Sequence, residues 1–134
     1  MTEEFKEYLE HTKFDKYLKK LNGKLKNKKI IIYGAGSFFH YIKDNYDLSK
    51  LNIIGISDMK FEPEEEGKDY LGYKIIPKNK MREYNADCVL VAVLEYISVI
   101  EDFELNIFKN TKTRVYPLVR IPFWELVKKI FFGK

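Results

Sequence analysis

A run of four apolar residues, Ile30-Ile31-Ile32-Tyr33, stops at Gly34-Ala35-Gly36 and gives way to a segment of helical character; this junction constrains the fold most. Apolar residues without polar alternation suit a strand buried on both faces, as in the middle of a parallel sheet. A helix is expected from Ser37 to about Tyr46. A second buried strand is expected over Ile53-Ile54-Gly55-Ile56-Ser57, ending at Asp58, which completes a βαβ unit of about 30 residues.

The rest of the chain continues the alternation. Phe5, Tyr8, Leu9, Tyr17, Leu18, Leu21 and Leu25 recur at three- and four-residue steps, which predicts one amphipathic helix from Phe5 to Leu25, ended or weakened by Gly23. After the acidic loop Glu62-Pro63-Glu64-Glu65-Glu66-Gly67 come a short strand, Tyr73-Lys74-Ile75-Ile76, and a brief helix over 79–84. The most apolar strand follows, Cys88 to Leu94, then a helix from about Tyr96 to Phe108 and a strand from Arg114 to Leu118. Pro122 stands where a last helix, Phe123 to Phe132, would begin. Strands alternating with helices imply an α/β fold: a doubly wound, mostly parallel, Rossmann-like sheet of about five strands with flanking helices. The expected organisation is an N-terminal amphipathic helix (1–27), the Rossmann-like core (28–118) and a C-terminal basic amphipathic helix (119–134).

At 134 residues, 46% of them hydrophobic, the chain is long enough to bury one core but not two. Its net charge of +4 permits an anionic partner without identifying one. The one cysteine, Cys88, excludes an internal disulfide, and with only His11 and His40 the chain has no metal-ligand spacing. No stretch approaches the ~18 apolar residues of a membrane span, and the acidic start lacks the apolar core of a signal peptide. A reducing cytoplasm is the expected setting.

The glycine turn is the main chemical signal. In a strand-turn-helix the first glycine allows a tight turn and the second lets the backbone approach a phosphate at the positive end of the helix. Gly34 and Gly36 fit those roles. Asp58, about twenty residues on, stands where a carboxylate accepts hydrogen bonds from ribose hydroxyls. Phe39 occupies the third position of the fingerprint, where its bulk argues against a standard NAD site. The competing reading is that the glycines only shape a tight βα connection, and that Phe38 and Phe39 fill the crevice.

The segments KKIIIYGAGSFF, IIGISD, EGKDYLGYKIIP and DCVLVAV, in this order, resemble a Rossmann-like, coenzyme-A-binding-like domain of bacterial polysaccharide-biosynthesis proteins. Similar domains occur in nucleotide-sugar dehydratases, hexapeptide-repeat sugar acyltransferases and sugar C-methyltransferases. The resemblance covers roughly Lys28 to Leu94. It implies a nucleotide-sugar contacted by Gly34, Gly36, Ser37 and Asp58, with Ala35 inside the same turn. No β-helix repeats and no S-adenosylmethionine module accompany it, so it implies an accessory domain whose catalysis, if any, a partner enzyme supplies.

Other residues are weaker candidates. Ligands bind beyond the carboxyl ends of the strands where the strand order reverses, which adds Glu95 and Tyr96. Glu95 is either a ligand contact or a carboxylate placed by the dipole of its own helix. His40, one turn into the second helix, either donates to a phosphate or is a surface residue, and Cys88 reads as a small hydrophobe. No catalytic dyad or triad is evident. The tail from Arg120 to Phe132 is read as core-capping and partner-binding in preference to lying on an anionic membrane. Lysines 13, 16, 19, 20, 24, 26, 28 and 29 read as a solvated surface spread around the helix, with no nucleic-acid signature.

The combined expectation is a nucleotide or nucleotide-sugar binding accessory domain in bacterial surface-polysaccharide synthesis or sugar modification. NAD(P) and coenzyme A are lesser candidates, and a homo-oligomer or partner enzyme docks through the terminal helices. The rival is a non-catalytic interaction or dimerisation module with a vestigial crevice.

Overall fold

The computed structural model describes residues 2–120. Its centre is a parallel sheet of β1 (Ile30–Tyr33), β2 (Ile53–Ser57), β5 (Cys88–Val91) and β6 (Arg114–Pro117), in the order β2-β1-β5-β6. Ile30 and Ile32 of β1, with Cys88 and Leu90 of β5, face one hydrophobic cluster, while Ile31, Tyr33, Val89 and Val91 face another. Both central strands are therefore buried on both sides, which is why their sequences lack alternation.

Helices α1 (Thr2–His11), α2 (Phe14–Lys24) and α3 (Ser37–Asn45) contribute to the first cluster, and α4 (Tyr96–Leu105) to the second. Because α3 joins β1 to β2 and α4 joins β5 to β6, the chain winds outward in both directions from the β1–β5 pair. The expected doubly wound α/β fold is present, with four strands in the main sheet instead of about five.

The missing strand is explained by a turn. Leu71 and Gly72, at φ 55° and 85°, put both central residues of a two-residue hairpin in the left-handed region. Tyr73–Lys74 (β4) accordingly pairs antiparallel with Asp69–Tyr70 (β3), and only Ile75 reaches the main sheet, through a single bridge to Ile56. A Cβ on Gly55 would overlap the Ile76 side chain, so β2 carries a glycine where this segment crosses it.

The expected single helix over Phe5 to Leu25 is two. Leu9 and Phe14 are five residues apart, so in one straight helix they would face different directions. The chain breaks between them: Lys13 adopts φ 56° and the Thr12 hydroxyl donates to the Leu9 carbonyl at 3.3 Å. Both apolar sets then bury in the same cluster. Gly23 does not end α2, which continues to Lys24. Farther on, β5 ends at Val91 and α4 at Leu105, and residues 78–84 form 3-10 turns. The expected helix over Phe123 to Phe132 lies outside the described residues. Among the described residues, no helix is long and apolar enough to cross a membrane.

Candidate functional site

The glycine turn lies at the reversal of strand order. The Gly34 amide donates to the Ser57 carbonyl at 2.8 Å and the Ala92 amide to the Tyr33 carbonyl at 2.7 Å, so β1 is flanked by β2 and β5 to its last residue. Gly34 has φ 116°, and a Cβ there would stand 2.7 Å from the Ala92 carbonyl oxygen. The residue is glycine for both reasons. Gly36, the N-cap of α3, has φ −90° and open space where a Cβ would be. Neither its backbone conformation nor its surroundings require a glycine there.

The turn leads directly into the start of a helix. Gly36 and Ser37 are exposed, no side chain caps the first amides of α3, and its first turn has no acidic residue. The first amides of a helix lack intrahelical acceptors and carry the positive end of its dipole, an arrangement suited to a phosphate.

Asp58 borders the turn from the end of β2. Its Oδ2 accepts the Ala35 amide at 2.7 Å and its Oδ1 the Lys60 amide at 3.0 Å. Each carboxylate oxygen retains a second acceptor site, so Asp58 can take a hydroxyl while holding the loop. Asp58, expected from its spacing as a ligand contact, also positions the turn.

Two further residues were missed altogether. The Lys60 ammonium donates to the Ala35 carbonyl at 2.9 Å and to the Tyr70 hydroxyl at 3.1 Å, and Tyr70 donates its proton to the same carbonyl at 3.0 Å. His40 Nε2 lies 2.9 Å from the Tyr70 oxygen. Which of the two donates in this pair follows the His40 tautomer. His40 is therefore engaged with Tyr70. The hairpin that delivers Tyr70 was the available signal, through the Leu71-Gly72 pair, whereas nothing in the sequence marks Lys60 among so many lysines.

On the α4 side, Tyr33 closes β1 with its ring 4.7 Å from that of Phe103. Burial first, then the Asp58 and Asp102 carboxylates, push its hydroxyl up to about 12, against a hydrogen bond from the Met59 backbone. Ser57 is fully buried and its hydroxyl has no hydrogen-bond partner. Glu95 is the exposed N-cap of α4, and its side chain caps no amide. Tyr96 is buried in the α4-side cluster.

Phe38 and Phe39 turn into the core beneath the helices. Phe38 packs on Phe5 at 5.2 Å and on Tyr8 at 5.9 Å, and Phe39, fully buried, faces Tyr73 at 6.3 Å. The bulk expected to resist close packing is absorbed by α1 and β4.

The profile of a family described as C2185-like, N-terminal, matches residues 26–114. The chain belongs to this family. Within the C2185-like domain the match takes in the glycine turn, Asp58, Lys60 and Tyr70, and it begins after α2. No curated protein matches the chain.

Proposed function

We propose that this C2185-like domain binds a nucleotide or nucleotide-sugar as an accessory domain in bacterial surface-polysaccharide synthesis or sugar modification. The observation that carries the reading is the uncapped, exposed start of α3 at Gly36 and Ser37, beside the reversal of strand order. A phosphate accepts from the first amides of α3, Lys60 supplies positive charge on the rim, and Asp58 takes a ribose hydroxyl while it holds Ala35. The resemblance of the segments around the turn to domains of polysaccharide-biosynthesis proteins supplies the sugar-nucleotide class. No residue here identifies a reaction, and the role proposed is recognition.

A thermal-shift screen against UDP-, GDP-, CMP- and dTDP-sugars, NAD(P) and coenzyme A tests the reading. A ligand at a hundredfold its dissociation constant stabilises the fold by about 2.7 kcal/mol. A shift with one nucleotide family, reduced in Lys60→Met, supports it; a flat screen at millimolar ligand counts against it.

A second reading, an interaction module, is favoured by one observation. Met59, Leu94 and Ile97, each on or just after an element that ends or starts at the carboxyl edge of the sheet, are 77%, 46% and 55% exposed. Apolar side chains there suit a partner protein. Concentration-dependent dimerisation abolished by Ile97→Lys, together with a flat ligand screen, would favour this reading.

A further inference from the structure

Four cations meet at the amino edge of the sheet, the end opposite the glycine turn. Lys24 in the last turn of α2, Lys28 shortly before β1, Lys112 shortly before β6 and Arg114 at its first residue line one surface depression of about 290 Å³ with Cys88 and Tyr116. The strand register brings these separate segments together, because Cys88 opens β5 between Ile30 of β1 and Arg114 of β6. The lysines of the N-terminal region were expected as a solvated surface spread around their helix; Lys24 and Lys28 instead share this concavity with Lys112 and Arg114.

Hydrogen bonds hold the segments that carry the cations. The Lys28 amide donates to the Leu25 carbonyl at 3.1 Å, the Lys29 amide to Asp87 Oδ2 at 2.7 Å, and the Arg114 amide to the Asp87 carbonyl at 3.0 Å. Lys24 Nζ rests 4.0 Å over the Tyr116 ring, which ties α2 to β6. Asp87 is the one carboxylate that lines the depression, so the four cations leave a surplus of three positive charges. Among the described residues, none of the four makes an ion pair. Like charges held together in this way repel one another, and an anion seated among them relieves that repulsion. Their field reaches the floor of the depression, where Lys24 and Lys28 oppose the rise that burial and Asp87 impose on the Cys88 thiol.

Size and charge select the class of anion. A volume of about 290 Å³ lies at the lower limit of small-molecule pockets, which suits a short chain of phosphates and not a whole nucleotide-sugar. A terminal phosphate carries about two negative charges, against about one for a phosphate linked on both sides. A triphosphate with a free end therefore answers the positive surplus, and the doubly linked pyrophosphate of a nucleotide-sugar does not. The face of Tyr116 is taken by Lys24, so the depression offers a nucleobase no open ring to stack on.

We infer that the depression between the end of α2 and the start of β6 is an anion site for a small molecule that presents a free triphosphate group. Nucleoside triphosphates and inorganic polyphosphate share that chemistry. A ligand there bridges Lys24 and Lys28 on one side with Lys112 and Arg114 on the other. This inference is independent of the nucleotide site, which lies at the opposite edge of the sheet.

Calorimetry of the whole chain with inorganic tripolyphosphate, in magnesium-free buffer of low ionic strength, tests it. Lys112→Gln with Arg114→Gln should weaken binding about tenfold, as for two partly exposed charge pairs, with the melting temperature retained. Lys68→Gln with Lys78→Gln removes the same charge from residues that do not line the depression and should leave binding nearly unchanged. In amide-resolved NMR, tripolyphosphate should shift Lys28, Cys88 and Arg114 most strongly. Tighter binding of ATP than of tripolyphosphate assigns the site to nucleoside triphosphates and the reverse order assigns it to inorganic polyphosphate; either supports the inference. Absence of binding at millimolar tripolyphosphate, equal losses in the two double variants, strongest shifts at Gly36 and Ser37, or tighter binding of single-stranded RNA than of tripolyphosphate would each overturn it.

Discussion

The carboxylate of Asp58 holds the amide of Ala35 at 2.7 Å across 23 residues of sequence, so the end of β2 fixes the turn that leaves β1. A hydrogen bond from an amide to a charged acceptor contributes about 1.5–3 kcal/mol. Asp58→Ala removes this bond and the one to Lys60, and is expected to lower the stability measured by urea unfolding by about 1–3 kcal/mol. Asp58→Asn keeps one carbonyl acceptor and should fall between. A loss under about 0.5 kcal/mol, the range of ordinary surface substitutions, would mean that Asp58 does not hold the turn.

The two glycines of the turn should separate folding from binding. Gly34→Ala places a Cβ 2.7 Å from the Ala92 carbonyl on a backbone at φ 116°. A loss of about 2 kcal/mol or more is expected, since the conformation alone costs an L-residue about 1–2 kcal/mol. Gly36→Ala meets open space and should cost under about 1 kcal/mol as an altered N-cap. Its methyl group projects where a phosphate would approach, so it should weaken nucleotide binding in calorimetry while Gly34→Ala lowers the melting temperature. The reverse pattern would contradict the assignment of Gly36.

The buried Ser57 hydroxyl lacks a partner, and an unpaired buried polar group costs about 1–3 kcal/mol. Ser57→Ala is therefore expected to leave the ligand-free domain as stable or to stabilise it by up to about 1 kcal/mol. Denaturant midpoints decide this; a clear destabilisation would mean that the hydroxyl makes a bond in solution.

Alkaline pH should weaken the fold. Burial, followed by the Asp87 carboxylate, pushes the Cys88 thiol from 9.0 up to about 12, against Lys24 and Lys28. Burial and nearby carboxylates raise Tyr33 from 10.0 to about 12. Both groups hold their protons more tightly when folded, so the stability they contribute is complete below about pH 9 and falls as pH rises toward 12. Urea midpoints should decline across that window, and thiolate absorbance should appear together with unfolding. A thiolate formed near pH 9 in the folded protein would contradict the burial of Cys88.

The strands that make the switch point were legible because β1 and β5 are buried on both faces and carry unbroken apolar runs. Gly34, Gly36 and Asp58 were legible because their spacing follows from the length of a βα turn and one βαβ unit. The break at Lys13 was not, because Leu9 and Phe14 each satisfy a helical pattern locally and only their common burial shows the change of phase. Tyr73 read as part of a main-sheet strand because apolar content does not reveal a partner, and the Leu71-Gly72 turn chose Tyr70 instead. Lys60 and Tyr70 meet Ala35 across 25 and 35 residues, distances at which sequence carries no signal for a single contact.

The proposed function rests on phosphate sitting on the first amides of α3. Amide-resolved NMR of the chain, titrated separately with UDP-, GDP-, CMP- and dTDP-sugars to millimolar concentration, tests it most directly. One nucleotide family is expected to shift the amides of Gly36, Ser37 and Phe38 most strongly, with Lys60 following, while the resonances of α2 stay in place. Unmoved amides at the glycine turn with all four families, or shifts confined to another surface, would contradict it.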